Sequence, residues 1–359
     1  MDAPKIFVIN PGSTSTKLAL YEGAAEAWAV NVPHAAAAGG IADELPARLA
    51  VVEDALAKKG VDPRGISAIA ARGGLMRPVG PGVYRVTEEM VEDLKRSQDR
   101  WGVEHASSLG AMIALDLSGR YGMPAFVADP VTVDEMDEVA RLSGVPEIKR
   151  TSLLHALNVR AVVKRAAREL GLESETEWDF AVAHMGGGAT VAAVRGGRIV
   201  DVSGALLGMG PFSPARAGAL PLCGLMGLAY SGLTRTALEE KLTHESGLMG
   251  YTGTEDLREV ERRIKEKDEA ATTALAAMAY QTAKEVAAMA SAAGGRVRAV
   301  ILTGGTMNSE LFSGMVARRV GFLARVLVYP GEAEMEALAA YALGALTGKE
   351  RVREYGEAR

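Results

Sequence analysis

Two stretches of this chain repeat one pattern, and that pattern restricts the fold more than any other feature. The apolar run Ile6-Phe7-Val8-Ile9 enters Asn10-Pro11-Gly12-Ser13-Thr14-Ser15-Thr16-Lys17, and Leu18-Ala19-Leu20-Tyr21-Glu22-Gly23 follows. Much later Phe180-Ala181-Val182-Ala183 enters His184-Met185-Gly186-Gly187-Gly188-Ala189-Thr190, followed by Val191-Ala192-Ala193-Val194-Arg195-Gly196-Gly197. A single offset carries Asn10 onto His184, Gly12 onto Gly186, Thr16 onto Thr190 and Gly23 onto Gly197. Apolar strand, Gly/hydroxyl turn, second strand and closing glycine recur in order, which predicts a duplicated domain. In Rossmann and Walker turns a helix follows the glycines and offers its N-terminus to phosphate. Here short β-like segments follow both turns, so phosphate would be held by turn amides and hydroxyls. Two such turns facing each other suggest a nucleotide clamped between the copies.

At 359 residues the chain is longer than most single domains, in keeping with two. Periodicity predicts helices over 41–59, 87–95, 105–117, 153–170, 234–242, 254–265, 270–293 and 334–346. Buried strands are expected over 66–71, 125–128, 297–302 and 325–329. Alternating strands and helices make the fold α/β. No low-complexity linker divides the halves, which are expected at 1–150 plus 335–359 and at 151–334. A net charge of −5 argues against nucleic acid or an anionic membrane as the main partner. The single cysteine, Cys223, excludes an intrachain disulfide and a CxxC motif. With no basic or apolar leader pattern at the N-terminus, and no apolar run near the ~20 residues of a bilayer helix, a cytoplasmic protein is expected.

The candidate chemistry is concentrated at turns. Asn10, Ser13, Thr14, Ser15, Thr16 and Lys17 form the densest polar cluster, a phosphate cradle or, on the plainer reading, a polar hairpin turn. Arg72, between a buried strand and Gly73-Gly74, and Arg216, in the Pro-containing loop 211–218, are candidate clamps for carboxylate or phosphoryl oxygens. His105, His155 and His184 stand at element edges, without the spacing of a zinc helix. Asp129 ends a strand, and Glu334 or Glu336 opens a helix. Either carboxylate suits Mg²⁺ with retained waters, and either also suits an ordinary Asp-Pro turn or helix first turn. Gly304 and Gly305 follow a buried strand and would let a flat ring approach the backbone.

On these residues the chain resembles the acetate and sugar kinase, Hsc70 and actin superfamily, and within it the acetokinase family, over nearly its whole length. The resemblance implies two duplicated ribonuclease H-like (actin-like ATPase) domains with an active-site cleft between them. The stretches 8–17, 183–188 and 302–305 resemble the family's two phosphate motifs and its adenosine motif. His155 lies in a segment resembling the Phe-His-Gly-Thr-Ser-His stretch of acetate kinases, and Arg216 in one resembling their Arg-Ser-Gly-Asp. Asn158 and Ala219 are departures within those segments.

The implied reaction is reversible transfer of the ATP γ-phosphoryl group to a short-chain carboxylate, giving an acyl phosphate and ADP. Arg72 would hold the carboxylate, with Gly74 and His105 beside it. Arg216 and His155 would neutralise the transferring group, and Asn10, Asp129 and Glu334 would serve Mg²⁺. Asn10, Ser13, Ser15 and Lys17 would hold the reacting phosphate, His184 with Gly186, Gly187 and Gly188 the β-phosphate end, and Gly304 with Gly305 the adenosine. Gly74 stands where acetate kinases tend to carry valine. The opened space would admit further methylenes, each worth roughly 0.8 kcal/mol when buried, which points to an acyl chain longer than acetate without fixing which. Butanoate is the expected substrate, with a branched acid such as isobutyrate, or acetate or propionate, as the alternatives. A non-catalytic nucleotide switch, the rival class, would need large insertions. A homodimer or higher oligomer is expected, with helix 270–293 a possible interface.

Overall fold

The computed structural model describes residues 3–12, 15–34 and 40–357. The chain divides into two compact units: unit 1 comprises Met1–Asp134 and Ala333–Arg359, and unit 2 comprises Glu135–Glu332.

Unit 1 is built on β1 (Lys5–Pro11), β2 (Ser15–Glu22), β3 (Ala25–Pro33), β4 (Ala68–Ala71), β5 (Val83–Arg85) and β6 (Ala125–Ala128). Its helices are α1 (Ile41–Lys58), α2 (Glu88–Lys95), α3 (Ser97–Trp101) and α4 (Ser108–Tyr121). The chain returns at α12 (Glu334–Thr347) and β12 (Val352–Arg353) to finish the sheet, ordered β12-β5-β6-β4-β1-β2-β3. Strands β1, β4 and β6 are parallel to one another and almost wholly buried. Phe7, Ile9, Ile69 and Ala71 enter one core with Leu109 and Ile113 of α4, and α12 also lies on β1 and β4. Coverage on both faces is why these strands read as unbroken apolar runs rather than alternating ones.

Unit 2 holds α5 (Ala156–Glu169), β7 (Phe180–Met185), β8 (Ala189–Arg195), β9 (Arg198–Val202), α6 (Leu222–Ala229), α7 (Arg235–His244), α8 (Gly247–Thr252) and α9 (Leu257–Lys265). They are followed by α10 (Glu269–Ala292), β10 (Ala299–Gly304), α11 (Glu310–Val320) and β11 (Arg325–Pro330). The sheet order is β11-β10-β7-β8-β9, with β10 parallel to both β7 and β11. Helix α10 starts at Asp268, whose carboxylate accepts the Ala271 amide at 3.0 Å. It spends its apolar stripe (Ala274, Leu275, Met278, Val286, Met289) on the core of its own unit. The apolar face of helix 270–293 is therefore used internally. The exposed apolar helix is instead α6, none of whose residues is buried.

Both units thus share a three-stranded antiparallel meander, with two parallel strands added in order beside its first strand. The duplication expected from the turns is present, but the copies differ by one residue. Asn10 pairs with Lys17 across the first hairpin, whereas His184 pairs with Thr190 across the second. The single offset therefore holds on the first strand of each copy and slips after the turn, so Thr190 corresponds to Lys17 rather than Thr16. The slip also brings the β-bulges into line, at Leu20/Tyr21 and at Ala193/Val194. The division between units differs from the expected one. Residues 135–150 belong to unit 2 because Glu135 pairs with Arg160 at 3.1 Å and Arg150 with Asp201 at 2.7 Å. Glu334 belongs to unit 1 through the contacts described next.

Candidate active site

In unit 1 the parallel strands deliver their polar residues at their carboxyl ends, where ligands of α/β sheets bind. Asn10 ends β1, Arg72 follows β4 and Asp129 follows β6. Glu334 enters from the first turn of α12, where a helix N-terminus favours a carboxylate. Asn10 Nδ2 donates to Glu334 Oε2 at 2.9 Å, and Arg72 Nη1 lies 3.1 Å from the same oxygen. Asn10 and Glu334 are buried, while the Arg72 side chain keeps 18% of its surface. Glu336 faces elsewhere, into a groove with Tyr21, Leu343 and Thr347. Of the two glutamates, Glu334 is the one joined to Asn10 and Arg72.

Asp129 is held in a left-handed conformation, φ +37°, which is strained for a non-glycine residue. Its Oδ1 accepts the Gly82 amide at 2.8 Å and its Oδ2 the Tyr341 hydroxyl at 2.6 Å. These bonds fix the carboxylate. Lys17 is exposed on β2 opposite Asn10, and the Ser15 carbonyl closes the turn by accepting the Gly12 amide at 2.8 Å. Ser13 lies outside the described residues. His105 Nδ1 accepts the Ser107 amide at 3.2 Å beside the start of α4.

Gly74 has a different reason from the one its position suggested. A Cβ there would fall 2.4 Å from Ser108 Cα and 2.1 Å from its Oγ, and a Cβ at Gly110 would meet the Arg72 carbonyl at 2.4 Å. The glycines let α4 lie directly on the Arg72 backbone. The volume freed at Gly74 is filled by Ser108, so it leaves no room for a longer acyl chain.

Unit 2 repeats the arrangement. His184 ends β7, Gly304 ends β10, Glu332 follows β11, and His155 stands at the start of α5. The His155 and His184 rings stack with centroids 4.1 Å apart and planes 18° from parallel. His184 is fully buried, with Nδ1 2.9 Å from Asn158 Oδ1 and Nε2 3.7 Å from Glu332 Oε1. His155 Nδ1 is 2.8 Å from Thr190 Oγ1, and the Thr190 hydroxyl also accepts the His155 amide at 3.3 Å. A Cβ at Gly188 would sit 2.8 Å from Arg216 Nη1 and 3.1 Å from His155 Cε1, so the bare glycine leaves room for those side chains to gather there.

Arg216 is carried on a turn closed in both directions. Its amide donates to Ser213 Oγ at 3.2 Å, and the Ser213 amide donates to its carbonyl at 3.0 Å. Ser213 Oγ in turn donates to the Gly187 carbonyl at 2.8 Å, while Gly186 donates to the Gly188 carbonyl at 2.9 Å. Gly304 (φ +97°) is glycine because a Cβ would fall 2.2 Å from the Met185 carbonyl; β7 backbone takes the space expected for a flat ring. Gly305 has open space on its Cβ side.

The residues missed from sequence are supports: Thr190 and Asn158 behind the two histidines, Ser213 behind Arg216, Tyr341 behind Asp129, and Arg48. Thr16, included in the polar cluster, turns inward and is fully buried. Among the described residues no group of three or more His, Cys, Asp or Glu side chains forms a metal cage, and no helix is long and apolar enough to cross a membrane. The Glu334 carboxylate and Asn10 amide offer hard oxygen donors, which suit Mg²⁺ retaining most of its waters.

The fold has a solved counterpart in Porphyromonas gingivalis acetate kinase: TM-score 0.74, 22% identity, covering 96% of this chain and 100% of that one. The architecture is that of a duplicated α/β fold. The family model described as "Acetokinase family" matches residues 148–326. A "Probable butyrate kinase 2" of Caldanaerobacter subterraneus subsp. tengcongensis is 44% identical over 98% of this chain and 99% of its own length. A "Probable butyrate kinase" of Listeria monocytogenes serotype 4a is 42% identical over 98% and 99%. The chain belongs to the acetokinase family.

Proposed function

We propose that this chain transfers the γ-phosphoryl group of ATP reversibly to butanoate, giving butanoyl phosphate and ADP. The observation that carries the reading is near-full-length identity to proteins named as butyrate kinases. Chemical sense comes from the two sets of groups. A carboxylate is already a nucleophile, so no general base is needed; the obstacle is repulsion between two anions, met by positioning and fixed charge. Arg72, held on one side by Glu334, keeps donors for the substrate carboxylate. Arg216 and His155 lie together over Gly188, where a developing phosphoryl charge would be neutralised. Thr190 sets the direction of the His155 ring. Lys17, Ser13 and Ser15 would grip the reacting phosphate, the 186–188 turn with His184 the β-phosphate end, and Gly305 the adenosine edge.

Mg²⁺ would be held through Glu334 and Asn10, directly or by water, and would supply charge neutralisation on the phosphate oxygens. Asp129, already held by Gly82 and Tyr341, would orient a water of its shell.

An acid panel of two to five carbons, read by hydroxylamine trapping of acyl phosphate, tests the reading. A maximum at four carbons is expected; a maximum at acetate, or turnover of ATP indifferent to added acid, overturns it. In the same assay Arg216→Ala is expected to lower kcat by about 10²-fold or more, and an unchanged kcat removes its clamp role. We propose further that the protein works in the cytoplasm as a homodimer. Leu222, Met226 and Tyr230, exposed on and just after α6, supply an apolar face for a second copy, testable by light scattering with Met226→Glu.

A further inference from the structure

Arg48 lies in the middle of α1 and would pass in the sequence for half of a solvated Glu44/Arg48 helix pair. Instead its side chain is only 3% exposed. Its fork is divided between a carboxylate on its own helix and groups outside that helix. Nε and Nη2 bond Glu44 Oε2 at 2.9 and 2.6 Å, while Nη1 donates to Thr16 Oγ1 at 2.8 Å and Nη2 to the Gly12 carbonyl at 3.2 Å. His34 Nε2 also lies against Nη1. Gly12 and Thr16 flank the first phosphate turn, and Thr16 pairs with Pro11 across the β1–β2 hairpin. One buried guanidinium therefore ties the two ends of that turn to α1. The second turn is braced differently, by Ser213 on Gly187 and by Thr190 with His155.

We propose that Arg48, held by Glu44, is a positioning residue for the first phosphate turn. It fixes Gly12 and Thr16, the described ends of that turn, relative to α1, without touching the substrate carboxylate. Arginine is required because one planar fork must reach a carboxylate, a hydroxyl and a carbonyl together; lysine carries the charge but not the geometry. The assignment to phosphoryl transfer rests on the function proposed above.

The test compares Arg48→Lys and Thr16→Val in the full chain. Thr16→Val removes one of the turn's two acceptors, the other being the Gly12 carbonyl, while leaving the Arg48–Glu44 pair and the side-chain shape. For Arg48→Lys, kcat is expected to fall about 10- to 100-fold, the cost of a small misplacement of a reacting group, with the carboxylate KM unchanged within about twofold. Thr16→Val is expected to lose about 3- to 10-fold in kcat with the same split, and decides alone if Arg48→Lys does not fold. Wild-type kcat in Thr16→Val, or a carboxylate KM that rises in step with the loss, overturns the proposal. Amide hydrogen exchange at Gly12 in the nucleotide-free protein separates the two claims. If the wild type forms no acyl phosphate with any acid, the function fails. Faster Gly12 exchange in both variants then still supports the turn-positioning role, and unchanged exchange overturns it.

Discussion

Glu334 Oε2 receives both Asn10 and Arg72, so one oxygen links the end of β1, the end of β4 and the start of α12. Glu334→Gln keeps the shape and removes the charge that offsets Arg72. Breaking a buried pair leaves an uncompensated ion, typically at 3–5 kcal/mol. The solvent-facing edge of Arg72 reduces this to an expected loss of roughly 2–3 kcal/mol, with kcat down by about 10²-fold, measured by denaturant unfolding and acyl phosphate formation. At Gly74 a methyl group would displace Ser108 and with it the start of α4. Gly74→Ala is expected to cost about 1–3 kcal/mol while leaving the ranking of acids by chain length unchanged. A shift of the ranking toward acetate would return Gly74 to the acyl pocket.

At the scale of elements, α2 is tied to the returning chain by Asp93. Its carboxylate receives the Tyr355 hydroxyl, the Arg77 amide at 2.7 Å and Arg100 Nη2 at 2.6 Å. Burial alone would raise the Asp93 pKa, but the hydrogen bonds from Tyr355, Arg100 and Arg77 outweigh it and hold the carboxyl below the ordinary aspartate value. A depressed folded pKa contributes stability that is complete above the unfolded value of about 3.9. That stability is lost as pH falls through the lower folded value. Unfolding free energy measured between pH 2 and 6 should therefore drop below about pH 4, and Asp93→Asn should flatten that part of the limb.

Elements were legible where local pattern and final environment agree. Strands β1, β4, β7 and β10 are apolar runs because both faces are covered, and the helical pattern over 270–293 matches α10. The third strands, β3 and β9, carry polar residues between turns and gave little apolar signal. In the site, the turn residues and Arg72, His155, His184 and Arg216 stood out because polar groups are unusual at the ends of buried strands and beside glycines. Ser213 and Arg48 did not, and Thr190 and Asn158 were visible only as a repeat position and a departure, since a hydroxyl, an amide or a helix arginine is ordinary in sequence. Their importance arises from partners far along the chain. The purpose of Gly74 was misread for the same reason: a glycine signals close approach without saying what approaches.

For the whole molecule the decisive feature is discontinuity. Unit 2 is a single stretch, whereas unit 1 draws on Ala333–Arg359 for α12 and β12. Leu338, Ala339 and Ala342 are buried there, and α12 lies on β1 and β4. A chain ending at residue 332 is expected to keep a protease-resistant unit 2 and to lose the cooperative unfolding of unit 1. Equal resistance of both units would show that α12 is dispensable.

During translation this arrangement inverts the usual order, in which the N-terminal part folds first. Residues 5–128 leave the ribosome early but lack the helix that seals one face of their sheet. Unit 2 needs nothing that comes later. The Asn10–Glu334 bond spans 324 residues, so the charge centre proposed to hold the acid forms only after unit 2 has been made. Until then the nascent β1–β4 surface is an unsealed apolar face, the part of the molecule most in need of a chaperone.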